Sequence, residues 1–364
     1  MQDIKVLYVG HYKDGTGWSE AAIRNILAMD KYGIYVVPRA IKLNNSPVNI
    51  PERILELEQR SADGCDVCIQ HVLPHMMEYS SKFRKNIGFC IVETNGWEHG
   101  PWVEKLRLMD EVWVCNKSTY GQLKQKSLFK KLALIQHPLD LSIYTPKTPL
   151  FKLPGYTFAH IGDFNRRKNL SAVLRAFHTE FDVNEPVNLV IKTSKHGLNP
   201  EQCMELVKQT CDKVKEKLRL YPSPGLYHKE VILTNRLSQE DMLRLHHSYD
   251  CLVSPSYGEA FNLIAVDAMA YAKPVLASNC GAHREHFKDN YLIDGNYEPV
   301  FGEESFPFLF TGRENWYKVD ESILRTKMRS MYEQKLEYVA VNRVKSKDYS
   351  DKKIAHKIAC RIAE

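Results

Sequence analysis

In the stretch SYGEAFNLIAVDAMAYAKPVLAS, residues 256–278, two acids stand eight positions apart in an otherwise apolar segment: Glu259 and Asp267. DCLVSPS before it has the composition of a buried strand, YGEA of a turn, and Phe261 to Ala272 of a helix apolar on nearly every face, which must be buried. A carboxylate inside such a helix is costly unless something polar meets it. A ribose would, because its two adjacent hydroxyls can both donate to one carboxylate. The backbone amides where the helix begins, at Ala260, Phe261, Asn262 and Leu263, suit a phosphate. A purely structural Asp267, bonded to an arginine or a backbone amide, satisfies the same constraint, and spacing alone does not choose between the two.

A second cluster tips the balance. In AHIGDFNRRKNLSAVLRAF a strand ends at Gly162, and Arg166, Arg167 and Lys168 stand just before the next helix. Cations at the carboxyl end of a parallel strand lie where a diphosphate would sit. Near the amino terminus, GHYKDGTGWSEAAI carries Gly15, Thr16 and Gly17 between a strand and a helix. It is not a dinucleotide fingerprint, because the third glycine of G-x-G-x-x-G would fall on Glu20 and the next strand ends in Arg39 rather than an acid.

These residues need a scaffold, and the order of patterns supplies one. Short β-rich runs (IKVLYVG, YVVPRAI, DVCIQHV, NIGFCIVET, DEVWVCN) alternate with helical or polar stretches, which implies parallel strands joined by right-handed crossovers. Four prolines, Pro138, Pro146, Pro149 and Pro154, then fall within 17 residues, and the alternation resumes after them. At 364 residues the chain exceeds the size at which one core usually stops growing. The expected fold class is α/β, with two facing Rossmann-like doubly wound domains: 1–145, 146–345 and a C-terminal helix, 346–364, crossing back to the first. Ligands of such sheets bind beyond the carboxyl ends of the strands, so the cleft is where the site is expected. The tail earns its separate treatment because Ile354, Ala355, Ile358, Ala359 and Ile362 recur at helical spacing opposite Lys352, Lys353, Lys357 and Arg361.

Composition bounds the function classes. With 44% hydrophobic and 26% charged residues the chain reads as globular rather than disordered, and no apolar run is long enough for a membrane span. Without a secretory signal pattern at its start, and with an odd number of cysteines (nine) mostly in strand-like runs, the expectation is a cytoplasmic protein without disulfides. Cys65 and Cys68 form a CxxC, but on a strand they would point to opposite faces and no second pair completes a zinc site. The net charge of +6 is too small to diagnose a nucleic-acid partner. Residues 117–131, with Lys117, Lys124, Lys126, Lys130 and Lys131 and no acid, would suit peripheral contact with an anionic surface, a membrane among them; a solvated helix face is the plainer reading.

The segment GEAFNLIAVDAMAYAKPVLAS resembles the donor-binding segment of the retaining glycosyltransferases of family four, the group 1 glycosyltransferases, which have the GT-B fold. Glu259 matches the first acid of that family's motif and Asp267 the second, one methylene shorter; Phe261 and Leu263 match the apolar residues between, and Ala260 and Asn262 replace glycines. IGDFNRRKNL, SQEDMLRLHHSYDCLVSPS and VETNGWEHGPWVEKLRLMDEVWVCNKSTY resemble further family segments. The resemblance implies a donor-ribose contact for Asp267, a sugar contact for Glu259, diphosphate contacts for Arg167 and Lys168, and a donor-phosphate and acceptor-facing role for Gly15, Thr16 and Gly17. Many family members place a histidine where Glu93 and Thr94 stand here; His99 follows five residues on, and the role is left open among the three. The implied activity is retaining, metal-independent transfer of a sugar from a nucleotide-diphosphate donor to an acceptor hydroxyl, with no separate cofactor. The acceptor is open among glycan, lipid-linked glycan, small molecule and modified nucleic acid. A sugar-nucleotide epimerase of the same fold and a non-catalytic sugar-nucleotide-binding protein are the competing readings.

Overall fold

A computed structural model describes residues 4–43, 48–303, 310–334 and 346–364. The chain divides into two compact units: Met1–Ile143 with Pro299–Asn315 and Lys345–Glu364, and Tyr144–Glu298 with Trp316–Val344. Residues 299–315, placed by sequence in the second domain, thus group with the first unit, and Tyr144 groups with the second.

In the first unit, β1 (Lys5–Gly10), α1 (Gly17–Lys31), β2 (Tyr35–Ala40), α2 (Glu52–Glu58), β3 (Val67–His71), β4 (Lys85–Cys90), α3 (Trp102–Arg107), β5 (Glu111–Val114), α4 (Lys117–Lys126) and β6 (Leu132–Leu134) follow in order. All six strands are parallel, in the order β2-β1-β3-β4-β5-β6. β3 and β4 are buried along their whole length, polar Gln70, His71, Lys85 and Asn86 included. Thr16 caps α1 through a capping box with Ser19. Cys65 lies before β3 rather than on it, so the opposite-face argument does not apply to it; both Cys65 and Cys68 are buried.

The C-terminal helix, Asp351–Ala363, belongs to this unit and buries Ile354, Ala355, Ile358 and Ile362. Polar contacts fix its end. The buried ion pair of Lys85 and Glu111 (2.7 Å) is joined by Arg361, whose Nε donates to Glu111 at 2.7 Å, while Lys85 Nζ and Arg84 donate to the carbonyls of Arg361 (2.5 Å) and Ile362 (2.6 Å). Cations at a helix carboxyl terminus satisfy both its unpaired carbonyls and its dipole.

The second unit contains β7 (Tyr156–Ile161), α5 (Leu170–Glu180), β8 (Val187–Lys192), α6 (Pro200–Leu218), β9 (Val231–Leu233), α7 (Gln239–Leu245), β10 (Cys251–Ser254), α8 (Leu263–Ala270), β11 (Val275–Ser278), α9 (His283–His286) and β12 (Leu292–Ile293). Its six strands are again parallel, in the order β12-β11-β10-β7-β8-β9, the dinucleotide-fold sequence of strands with its reversal between β7 and β10. Both sheets are Rossmann-like, as the alternating pattern implies. The helix read over Phe261–Ala272 is shorter, Leu263–Ala270: Asn262 takes a left-handed conformation (φ 62°) and so cannot continue it, and Ala272 (φ 57°) lies beyond its end. Among the described residues, no helix is long and apolar enough to cross a membrane.

Candidate functional site

The strand reversal in the second sheet brings two loops together, one after β7 and one after β10. In the first, Asn165 caps a single 3-10 turn, Arg166–Lys168, and Asn169 ends it in a left-handed conformation. The backbones are then pinned: Tyr257 N–H donates to the Arg167 carbonyl at 2.8 Å, and Asn169 Nδ2 donates to the Pro255 carbonyl at 3.1 Å. The stem of Lys168 lies over Gly162, where a Cβ would come within 3.1 Å of it, so the glycine makes room for the lysine.

Glu259 is the centre of this junction. Lys168 Nζ donates to Oε1 at 2.6 Å, and Arg167 lies 3.2 Å from Oε2 while donating to the Gly258 carbonyl at 2.7 Å. Burial opposes ionisation of Glu259, but Lys168, Arg167 and the neighbouring His283 outweigh it, and the carboxyl is held well below the usual carboxylate range. Two cations on one anion leave a net positive junction. Both cationic side chains keep 16% exposure against 4% for Glu259, so the surplus charge faces outward from a buried acid.

Asp267 is buried on the next helix, 6% exposed. The polar group that the sequence demanded for it is Tyr144, whose hydroxyl donates to Oδ1 at 2.5 Å. Tyr144 packs edge-on against Tyr271, whose hydroxyl is pushed up to about 12, by burial first and by the Asp267 charge second. Nothing in the sequence around LDLSIYTP marks Tyr144, because a lone tyrosine in a proline-flanked segment has no period or spacing to betray it.

The second unit therefore gathers Arg167, Lys168, Glu259, Ala260, Phe261, Asn262, Leu263 and Asp267 on two adjoining loops and one helix. The other sequence candidates lie in the first unit. Gly15 and Gly17 are exposed before and at the start of α1; Gly15 is left-handed (φ 63°), a region that favours glycine, whereas Gly17 has a conformation open to any residue and empty space where a side chain would stand. Glu93 and Thr94 are half-buried beyond the carboxyl end of β4, and His99 is exposed in the 3-10 turn Trp97–His99. Sequence reasoning passed over a group at the carboxyl ends of β1 and β3. There His71 stacks on Phe89 (4.7 Å between centroids) and lies 5.3 Å from Trp18 and 5.5 Å from His137, with its Nδ1 2.7 Å from the Tyr8 hydroxyl. Burial lowers the pKa of His71 and takes that of His137 to about 3, so both rings are neutral at pH 7. Among the described residues no group of three or more histidine, cysteine or acidic side chains is spaced to hold a metal ion.

Part of this chain matches a known family. The family of glycosyl transferases group 1 matches residues 146–300, which contain Arg167, Lys168, Glu259 and Asp267. That match covers less than half of the chain. The paired cations and both acids fall inside the matched stretch. Over 85 residues the chain is 34% identical to a putative glycosyltransferase of Acidianus filamentous virus 1, spanning 23% of this chain and 26% of that protein. Over 62 residues it is 37% identical to a D-inositol 3-phosphate glycosyltransferase of Mycobacterium sp. (strain KMS), spanning 16% and 14% of the two. The chain thus matches about a quarter or less of the length of these curated relatives. Whole-chain likeness is structural: to sucrose-phosphate synthase from Thermosynechococcus elongatus (TM-score 0.68, 13% identity, 99% and 98% of the chains covered). A second is Anabaena Alr3699/HepE in complex with UDP-glucose (TM-score 0.64, 12% identity, 99% of both chains). Identity this low speaks for the fold alone, which is GT-B.

Proposed function

We propose that the protein is a glycosyltransferase that moves a sugar from a nucleotide-diphosphate donor to an acceptor hydroxyl, with retention of anomeric configuration and without a divalent cation. The observation that carries this reading is the junction of Glu259 with Arg167 and Lys168 at the strand reversal of the second sheet. Two cations, partly exposed over a buried carboxylate, are the electrostatics that a departing diphosphate requires. As the bond between the sugar's anomeric carbon and the diphosphate oxygen breaks, negative charge accumulates on that oxygen. Arg167 and Lys168 stabilise it, taking the part a divalent cation plays in metal-dependent transfer. The developing positive charge on the ring is met by Glu259, and the acceptor attacks from the face the diphosphate leaves, its proton passing to the departing phosphate oxygen.

Asp267 is assigned to the donor ribose, and its hydrogen bond from Tyr144 fixes the carboxylate in one rotamer before ligand arrives. Anabaena Alr3699/HepE, similar in fold, is described in complex with UDP-glucose, which supports testing uridine donors first. We assign the acceptor to the first unit, with Glu93, Thr94 and His99 as the groups to vary. The test is a calorimetric panel of UDP-, GDP-, ADP- and dTDP-sugars in EDTA, followed by product stereochemistry by NMR. Binding of one donor in EDTA and a retained anomer support the reading; isomerised sugar nucleotide with no acceptor present would make the protein an epimerase instead.

A further inference from the structure

Asn262 stands where the resembling family carries a glycine, and the backbone there shows why a glycine serves: φ is 62° and ψ 73°. Asparagine reaches this region more readily than other side chains, though at a cost that glycine does not bear. The side chain of Asn262 is engaged on every side. Its Oδ1 accepts from Ala265 N–H at 3.2 Å, capping α8, and its Nδ2 donates to Ser254 Oγ at 2.9 Å and meets His283 Nε2 at 2.8 Å.

These contacts determine the state of His283. Because Ala265 fixes which end of the Asn262 amide is oxygen, the group facing Nε2 is a donor, so Nε2 must accept. The hydrogen then sits on Nδ1, which lies 3.1 Å from the Ser278 carbonyl, an obligate acceptor. Ser278 is itself held, its hydroxyl donating to the Ser256 carbonyl at 2.6 Å. A protonated His283 would press an N–H against the amide of Asn262. The ring is fully buried, and its pKa is lowered to about 4, by burial first, with Lys168 and Arg167 adding to the effect and Glu259 opposing it. The same short segment braces the loop twice more: His286 Nε2 donates to the Phe261 carbonyl at 2.7 Å, and Gly281 approaches the Glu259 carbonyl so closely that a Cβ would lie 2.6 Å from it.

We infer that neutral His283 is a positioning residue that, through Asn262, locks the turn between Glu259 and α8 in its left-handed form and so presets the backbone amides at which a donor diphosphate binds. This rests on the proposed function for the ligand, though not for the lock. In this chain the turn's geometry is written in a side-chain chain, Ser278 to His283 to Asn262 to Ser254, where a glycine would rely on backbone freedom alone.

The lock predicts non-additivity. His283→Leu and Asn262→Gly should each weaken binding of the nucleoside diphosphate, by about tenfold for the first, and the double variant should be no weaker than the weaker single one. His283→Gln, which keeps an acceptor near the Nε2 position, should stay within about threefold of wild type. Thermal melts identify any variant that has lost its fold, and the Gln and Gly variants keep the inference open to refutation if His283→Leu fails to fold. Independent losses that multiply in the double variant, or a His283→Gln protein as weak as His283→Leu, would overturn it. Amide hydrogen exchange at Asn262–Ala265 separates this inference from the transferase reading. If wild type binds no nucleotide, the function proposal falls. The lock is then judged on exchange alone: faster in His283→Leu, unchanged when the same substitution is made on Asn262→Gly. Exchange that accelerates equally in both backgrounds contradicts it.

Discussion

Where strand order reverses in the second sheet, between β7 and β10, the adjoining loops carry an acid with two cations; where it reverses in the first, between β1 and β3, they carry rings. Glu259, Arg167 and Lys168 form a compact ionic junction with surplus positive charge. His11, His71 and Trp18, with Tyr8, Phe89 and His137 behind them, form a neutral aromatic and imidazole cluster, in which burial holds His11, His71 and His137 below the ordinary histidine value. Two sheets of like topology therefore present unlike surfaces at equivalent places. The ionic one suits a multiply charged group, and the neutral one suits apolar or hydroxyl-bearing groups. Fold sets where a ligand can go; the loop residues set what it can be.

The comparison breaks most visibly if the ionic junction is dispensable. Lys168→Ala and Arg167→Ala should each lower kcat by about 10²-fold with a smaller rise in KM, since charge on the leaving diphosphate grows toward the transition state. Steady-state kinetics equal to wild type would remove the junction from the reaction.

Asp267→Ala comes next and acts on two quantities. It should abolish nucleotide affinity and also cost stability, about 1–3 kcal/mol by urea unfolding, because it removes the carboxylate to which the buried Tyr144 hydroxyl donates. Asp267→Asn keeps an acceptor for Tyr144 and should recover most of the stability but only part of the affinity. If Asn binds donor as tightly as Asp, the residue serves the fold and not the ribose.

A smaller effect probes the neutral cluster. Between pH about 6.5 and the depressed folded values, which for His137 is about 3, the unfolded chain holds protons that the folded chain excludes. Stability from these rings is therefore complete above about pH 6.5 and is lost as the pH falls through that window. His71→Phe keeps the ring stack on Phe89 and removes one such group, so acid unfolding should take up about one proton fewer. An unchanged slope of stability against pH would mean that His71 is protonated in the folded chain.

Much of this was legible in sequence and some was not, for physical reasons. Runs such as IKVLYVG and DEVWVCN report strands because a sheet packed in the core selects mostly apolar, β-branched and aromatic residues. That Glu259, Arg167 and Lys168 serve one site was legible because each follows the carboxyl end of a strand, and parallel topology brings such ends to one edge; their direct ion pairing was not. Tyr144 was not, since its meeting with Asp267 depends on how a proline-rich segment closes back over a helix 123 positions away. The start of α8 was misjudged by two residues because an apolar period runs straight through Phe261, while the left-handed turn at Asn262 is set by His283 and Ser254, which no local pattern contains. The grouping of Pro299–Asn315 with the first unit was equally hidden, because contacts such as the backbone bridge of Asn95 with Asn315 join positions far apart in the chain.

Calorimetric titration of UDP and GDP in EDTA into wild type and Lys168→Ala tests the central claim most directly. The expected result is metal-free binding of at least one of them to wild type, weakened about tenfold or more when Lys168 loses its charge. Equal affinity in both proteins, or binding that appears only when a divalent cation is added, would contradict it.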